Sequence, residues 1–188
     1  QQNLLDNYVW LYHQIKANNV KTPSSLLLEL ENRASFLYYQ IGFKNFSMLK
    51  CWHAWLLRGE EDEVENDSPW GKTAFSKCVI IKNARLDTEA VEMNQQYNHN
   101  PLIKQKGAKV IEEKLPKGIE EIAESLQGVM IRKISERGIA IESNPSSNIC
   151  IGPFEKYEDL PLFNFAPMEQ NVRTSVVNVS VNTDDRGV

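Results

Sequence analysis

Apolar residues recur at helical spacing through the first third of the chain. Leu4, Tyr8, Leu11 and Ile15, widened by Val9 and Tyr12, give residues 3–18 one apolar face, and Asn18-Asn19 supplies an end. Thr22-Pro23 then reads as an N-cap followed by proline at the first helical position. Leu26, Leu27, Leu30, Ala34, Leu37 and Ile41 continue a second helix to Gly42. A third helix is expected to carry Phe46, Leu49, Trp52, Trp55 and Leu56 and to stop near Gly59. Three successive helices predict a helical subdomain over residues 1–59.

The pattern then breaks. Residues 60–67 hold six acids in eight positions, too much charge to bury, and read as a solvated linker. From Ser68 to Asn100 the periodicity is weak: Cys78-Val79-Ile80-Ile81 fits a short buried strand or part of a helix, and spacing alone does not decide between them. Residues 60–118 are therefore taken as an acidic linker and an insertion without assigned elements. After Pro116-Lys117-Gly118, Ile119, Ile122, Leu126, Met130 and Ile134 mark a helix ending at Gly138, a glycine placed to cap it. Ile139-Ala140-Ile141-Glu142 follows as a strand, then a polar loop at 143–148, an irregular or briefly helical stretch to about Pro167, and a strand on which Val177, Val179 and Val181 share one face. This is α/β order, and connections of such length imply parallel pairing.

Composition narrows the classes. With 188 residues, 41% of them hydrophobic, the chain can bury a core. A net charge of −4 and a pI near 5.5 disfavour a protein whose main task is to grip a phosphate backbone, so nucleic acid is an unlikely partner. Cys51, Cys78 and Cys150 are odd in number and form no CxxC pair, which predicts reduced thiols and a cytoplasmic setting. No stretch has the length and apolarity of a membrane span, and QQNLLDNY has no signal-peptide character, so no membrane association is expected. A start at Gln1 and an end three residues beyond an acidic pair suggest a piece of a longer protein.

Candidate chemistry lies at the far end. Asn182-Thr183-Asp184-Asp185 places two adjacent carboxylates just beyond a hydrophobic strand, where α/β folds build their sites. The same pair also fits an Asx turn or a helix N-cap. Ser143-Asn144-Pro145-Ser146-Ser147-Asn148 leaves the preceding strand at its carboxyl end and by itself is a polar turn. His13, His53 and His99 are isolated in sequence and read as surface or helix-face residues. The fragment His53-Ala54-Trp55 with Gly59-Glu60-Glu61 reads as a coincidental likeness to a ligand motif.

Taken in order, Gly138-Ile139 with Glu142, Pro145, Ser147 and Asn148, then Ile151-Gly152, Tyr157, Leu160-Pro161 and finally Asn182-Thr183-Asp184-Asp185, residues 119–188 resemble the closing section of the adenosine deaminase family. The resemblance implies the last strand–helix units of a zinc-containing (β/α)8 TIM-type barrel that hydrolyses the C6 amino group of a purine nucleoside or nucleotide and releases ammonia. By position, Asp184 would be the carboxylate ligand of the zinc, and Asp185 would bind and orient the purine. A carboxylate is a competent zinc ligand, and zinc lowers the pKa of bound water toward about 7. The family's HxH pair, its His-containing glutamate motif and its further histidine are absent from this chain. A complete barrel needs about 250 residues. The implied partner is thus the remainder of the barrel or a larger parent chain. A long helical region ahead of residues 119–188 would fit the enlarged architecture of the deaminase-like subunits of phage-defence systems such as RADAR, which adds a homo-oligomer or a defence-complex subunit as expected partners. The contrasting expectation is a non-catalytic, deaminase-like assembly module.

Overall fold

The computed structural model describes residues 1–58, 79–165 and 177–182. The chain divides into two compact units, residues 1–122 and 123–188.

The first unit is helical. Helices α1 (Gln2–Ala17), α2 (Ser24–Ile41) and α3 (Met48–Leu57) are followed by α4 (Val79–Leu86), α5 (Thr88–His99) and α6 (Pro101–Gly107). Helix α1 packs along α2, α3 lies against α1, α4 and α5, and α6 touches α2 and α5. Most of the apolar stripe read in α2 is buried: Leu26, Leu30, Ala34, Leu37 and Ile41 face the core together with Tyr38, while Leu27 is only half-buried. Gly42 ends this helix at φ 110°, with the Phe43 N–H returning to the Tyr38 carbonyl at 3.3 Å, a Schellman closure that a Cβ would strain. Pro23 rather than Thr22 occupies the cap position, and Thr22 Oγ1 donates to the Val20 carbonyl instead.

Two sequence expectations shift here. Helix α3 begins only at Met48, after Ser47 caps it by accepting from the Lys50 N–H, so Phe46 lies outside it. It buries Met48, Cys51, Ala54 and Leu57, whereas Leu49 is 54% exposed and Trp52 and Trp55 are half-buried. The bulky aromatics suggested the inner face, but close packing against α1, α4 and α5 selects the smaller side chains. Residues 79–81 are helical, which settles an ambiguity that spacing left open. The acidic run 60–67 and Cys78 lie outside the described residues.

Polar staples complete this unit. Arg33 reaches Glu29 one turn back (Nη2 to Oε1, 2.7 Å), pairs with Glu113 and donates to the Lys114 carbonyl at 2.6 Å, tying the irregular segment 109–116 to α2. Arg58 at the end of α3 grips Asp6 of α1 with both guanidinium nitrogens and covers the Tyr97 ring at 4.3 Å. Among the described residues no helix is long and apolar enough to cross a membrane.

Helix α7 (Ile119–Glu136) leads into the second unit, which holds β1 (Ile141–Ser143), α8 (Pro145–Ile151), a 3-10 turn at Tyr157–Asp159, α9 (Leu162–Phe165) and β2 (Val179–Val181). Gly138 closes α7 at φ 65°, as its position in the sequence predicts. The expected C-terminal part of a (β/α)8 barrel does not form. The described residues are mostly helical, and their only strands are two three-residue segments paired in parallel. Ile139 and Ala140 stay exposed outside β1, and over the described residues up to 165 Pro145, the Gly152-Pro153 step and Pro161 break the connection into short helical pieces. Gly152 is a required stop, since a Cβ there would come within 2.4 Å of the Asn148 carbonyl.

Candidate functional site

The two segments that carried the family resemblance are neighbours. Strand β1 pairs with β2 in parallel, Ile141 opposite Val179, Glu142 opposite Ser180 and Ser143 opposite Val181. The ladder is bounded by the Ile141 N–H on the Asn178 carbonyl (2.8 Å) and by the Asn182 N–H on the Ser143 carbonyl (3.0 Å). Side chains alternate along a strand, so Ser180 and Asn182 share the face that Glu142 occupies on β1. Across that face Asn182 Nδ2 donates to Glu142 Oε1 at 2.8 Å, in the open.

Beyond β1 the polar stretch is only partly a loop. Asn144 precedes Pro145 at the first position of α8, a placement suited to proline because its missing N–H has no helical partner there, so Ser146 to Asn148 are helical. Asn144 Oδ1 is buried without a hydrogen-bond partner among the described residues. Val177 is 1% exposed, whereas Val181 at the other end of the same stripe is 65% exposed, so the apolar face of β2 is covered only at its start. Thr183, Asp184 and Asp185 lie outside the described residues.

The histidines sit in the first unit. His13 Nε2 lies 3.2 Å from the Met48 carbonyl, and its ring stacks on Trp52, which stacks in turn on Trp55. Burial holds its pKa below the ordinary histidine value, with nearby His53 acting the same way and the Met48 carbonyl opposing. His53 Nδ1 meets Asp87 Oδ2 at 2.8 Å, while Asp87 Oδ1 caps α5 by accepting from the Ala90 N–H at 3.1 Å. The chemistry of the donors tests the zinc expectation. His13 and His53 are each engaged by a partner, and no group of three His, Cys, Asp or Glu side chains among the described residues could hold a metal ion. These residues do not furnish a zinc site by themselves.

Sequence reasoning missed the His53–Asp87 pair, because 34 positions and the acidic run separate its members. The visible signal was Asp87 itself, an N-cap residue just ahead of α5. It also missed Lys50, a buried lysine beside a cavity of about 460 Å³ lined by Tyr38, Glu89, Glu92 and Gln96. Its ammonium donates to the Lys44 and Asn45 carbonyls and pairs with Glu89 at 3.0 Å. Burial opposes that charge, but Glu89 and Tyr38 outweigh it and raise the Lys50 pKa. With its hydrogen bonds satisfied, Lys50 locks the α2–α3 turn onto α5.

No family model matches this chain, nor does any curated protein or solved structure.

Proposed function

We infer that the chain is part of a zinc-dependent adenosine or aminopurine deaminase, completed by residues outside it. One observation supports this reading above the others: the motif segments around Glu142 and Asn182, remote in sequence, lie side by side in parallel with their carboxyl ends together. The roles this reading assigns are metal binding at Asp184 and purine orientation at Asp185, two and three residues after Asn182 in the sequence. The further zinc ligands would come from elsewhere in the protein. A cytoplasmic setting and a larger assembly, such as a homo-oligomer or an antiviral defence complex, accompany this reading.

The test is ammonia release by the full-length protein from adenosine, deoxyadenosine and ATP, with zinc measured by elemental analysis. Ammonia from at least one substrate is expected. Asp184→Ala should strip the metal, and Asp185→Asn should retain it while losing turnover. Absence of ammonia from all three substrates would sink the reading. Exposed Leu28, Phe36 and Tyr39 on one side of α2 favour a second reading, a non-catalytic assembly module. A metal-free, inactive full-length protein would support it.

A further inference from the structure

We propose that the cavity between the α2–α3 turn and α5 is a binding site for a free α-amino acid, a small ligand that carries a carboxylate and an ammonium group. The cavity lies wholly within the first unit and has a volume of about 460 Å³, in the size range of small-molecule sites. Lys50 lines it and is only 5% exposed. A charge so far from water has to keep its partners. The ammonium has three N–H donors, and three acceptors meet them: the Lys44 and Asn45 carbonyls and Glu89 Oε2, the last at 3.0 Å.

These acceptors differ in how freely they can leave. The two carbonyls belong to the turn, which Tyr38 holds by donating its hydroxyl to the Lys44 carbonyl at 2.6 Å. The Glu89 side chain is 67% exposed, so its carboxylate can exchange Lys50 for water at little cost. Lys50 therefore offers one exchangeable position, and whatever takes it has to be an anion if the buried charge is to stay paired. A carboxylate does this like for like.

The rest of the wall selects against a ligand that is only negative. Glu92 stands one turn beyond Glu89 on α5 and also lines the cavity, its Oε1 held by Gln96 Nε2 at 3.1 Å. An anion on Lys50 would meet both glutamates, whereas a zwitterion offers them its ammonium. The lining carries two lysines, Lys44 and Lys50, against two glutamates, so a ligand with one charge of each sign leaves the site balanced. Phe43 and Met93, both buried, give the wall an apolar part for the ligand's side chain. The site stands apart from the deaminase reading and does not depend on it.

Calorimetric titration of the full-length protein with L-methionine, L-leucine and L-glutamine tests this. At least one of the three is expected to bind. Its amide, which lacks the carboxylate, and its N-acetyl derivative, which lacks the ammonium, should each bind at least about tenfold more weakly. Lys50→Met should abolish binding, and Glu92→Gln, a change at an exposed side chain, should weaken it by about twofold to fivefold with the fold intact. If Lys50→Met does not fold, Glu92→Gln and the two truncated ligands decide. The proposal is overturned if none of the three amino acids binds, if either truncated ligand binds as well as its parent, or if a folded Lys50→Met or Glu92→Gln variant binds with wild-type affinity.

Discussion

The two units are built to different standards of closure. In residues 1–122, α2 alone puts six side chains into the interior, Leu30 and Ile41 without measurable exposure, and two arginine clamps tie helix to helix and helix to loop. In residues 123–188, Leu126, Leu160 and Val177 are buried, yet Ile151 is 85% exposed and Val181 65%. Parallel strands ordinarily lie covered on both faces, and this pair is covered at one end. The first unit therefore owes its order to its own core, while the second depends more on local devices: a left-handed glycine, prolines at helix starts, and hydrogen bonds at strand ends. The residues with the family resemblance belong to the less covered unit.

Core truncation should break this contrast most visibly. Leu30→Ala is expected to cost about 2–5 kcal/mol, whereas Val181→Ala should change stability by about 0.5 kcal/mol or less. Urea denaturation of both variants checks this, and equal losses would erase the distinction. Gly138 gives the next largest effect. Among the described residues nothing lies within 4 Å of where a Cβ would stand, so the cost of a side chain is the left-handed backbone. Gly138→Val should lose about 1–2 kcal/mol, while Gly138→Asn, which tolerates that conformation, should lose clearly less. A loss of equal size in both would point to packing in place of φ.

The smallest effect is one of pH. Burial alone would raise the Asp87 carboxyl, but hydrogen bonds from His53 and from the Ala90 N–H outweigh it and hold the pKa below the ordinary carboxylate value. The stabilisation is therefore present above the unfolded value of about 3.9 and is lost as pH falls through the lower folded value. Asp87→Asn should be less stable than wild type at pH 6 by about 1 kcal/mol or less, and the gap should narrow toward pH 2. A gap constant over that range would remove the ionised carboxylate from the account.

Helix α2 was legible because periodicity, the proline start and the glycine stop all agree on it, and Gly138 because only a helix end requires a glycine in that place. The inner face of α3 was not: two tryptophans dominate its hydrophobicity, and the decision belongs to the three helices packed around it. Local pattern suggested strands 139–142 and 177–181, but strand extent depends on partners and coverage, and both shrink to three residues. A barrel was inferred from motif order, which does not count strands. For the candidate site, the sequence singled out Asp184 and Asp185, which lie outside the described residues, and held Glu142 and Asn182 only as members of the motifs; their direct bond is a matter of register, visible only in three dimensions. The His53–Asp87 pair was hidden for the same reason.

The stack on α3 has an optical consequence. Trp52 and Trp55 lie 5.0 Å apart with planes 12° from parallel, and His13 of α1 covers Trp52 at 4.9 Å. Two indoles this close and this parallel couple their transitions, and an imidazole laid on one of them modulates its emission. Near-ultraviolet dichroism of the coupled pair therefore reports on α3, while fluorescence sensitive to His13 reports on whether α1 remains seated against it, so the bundle carries its own gauge of helix separation without an added label.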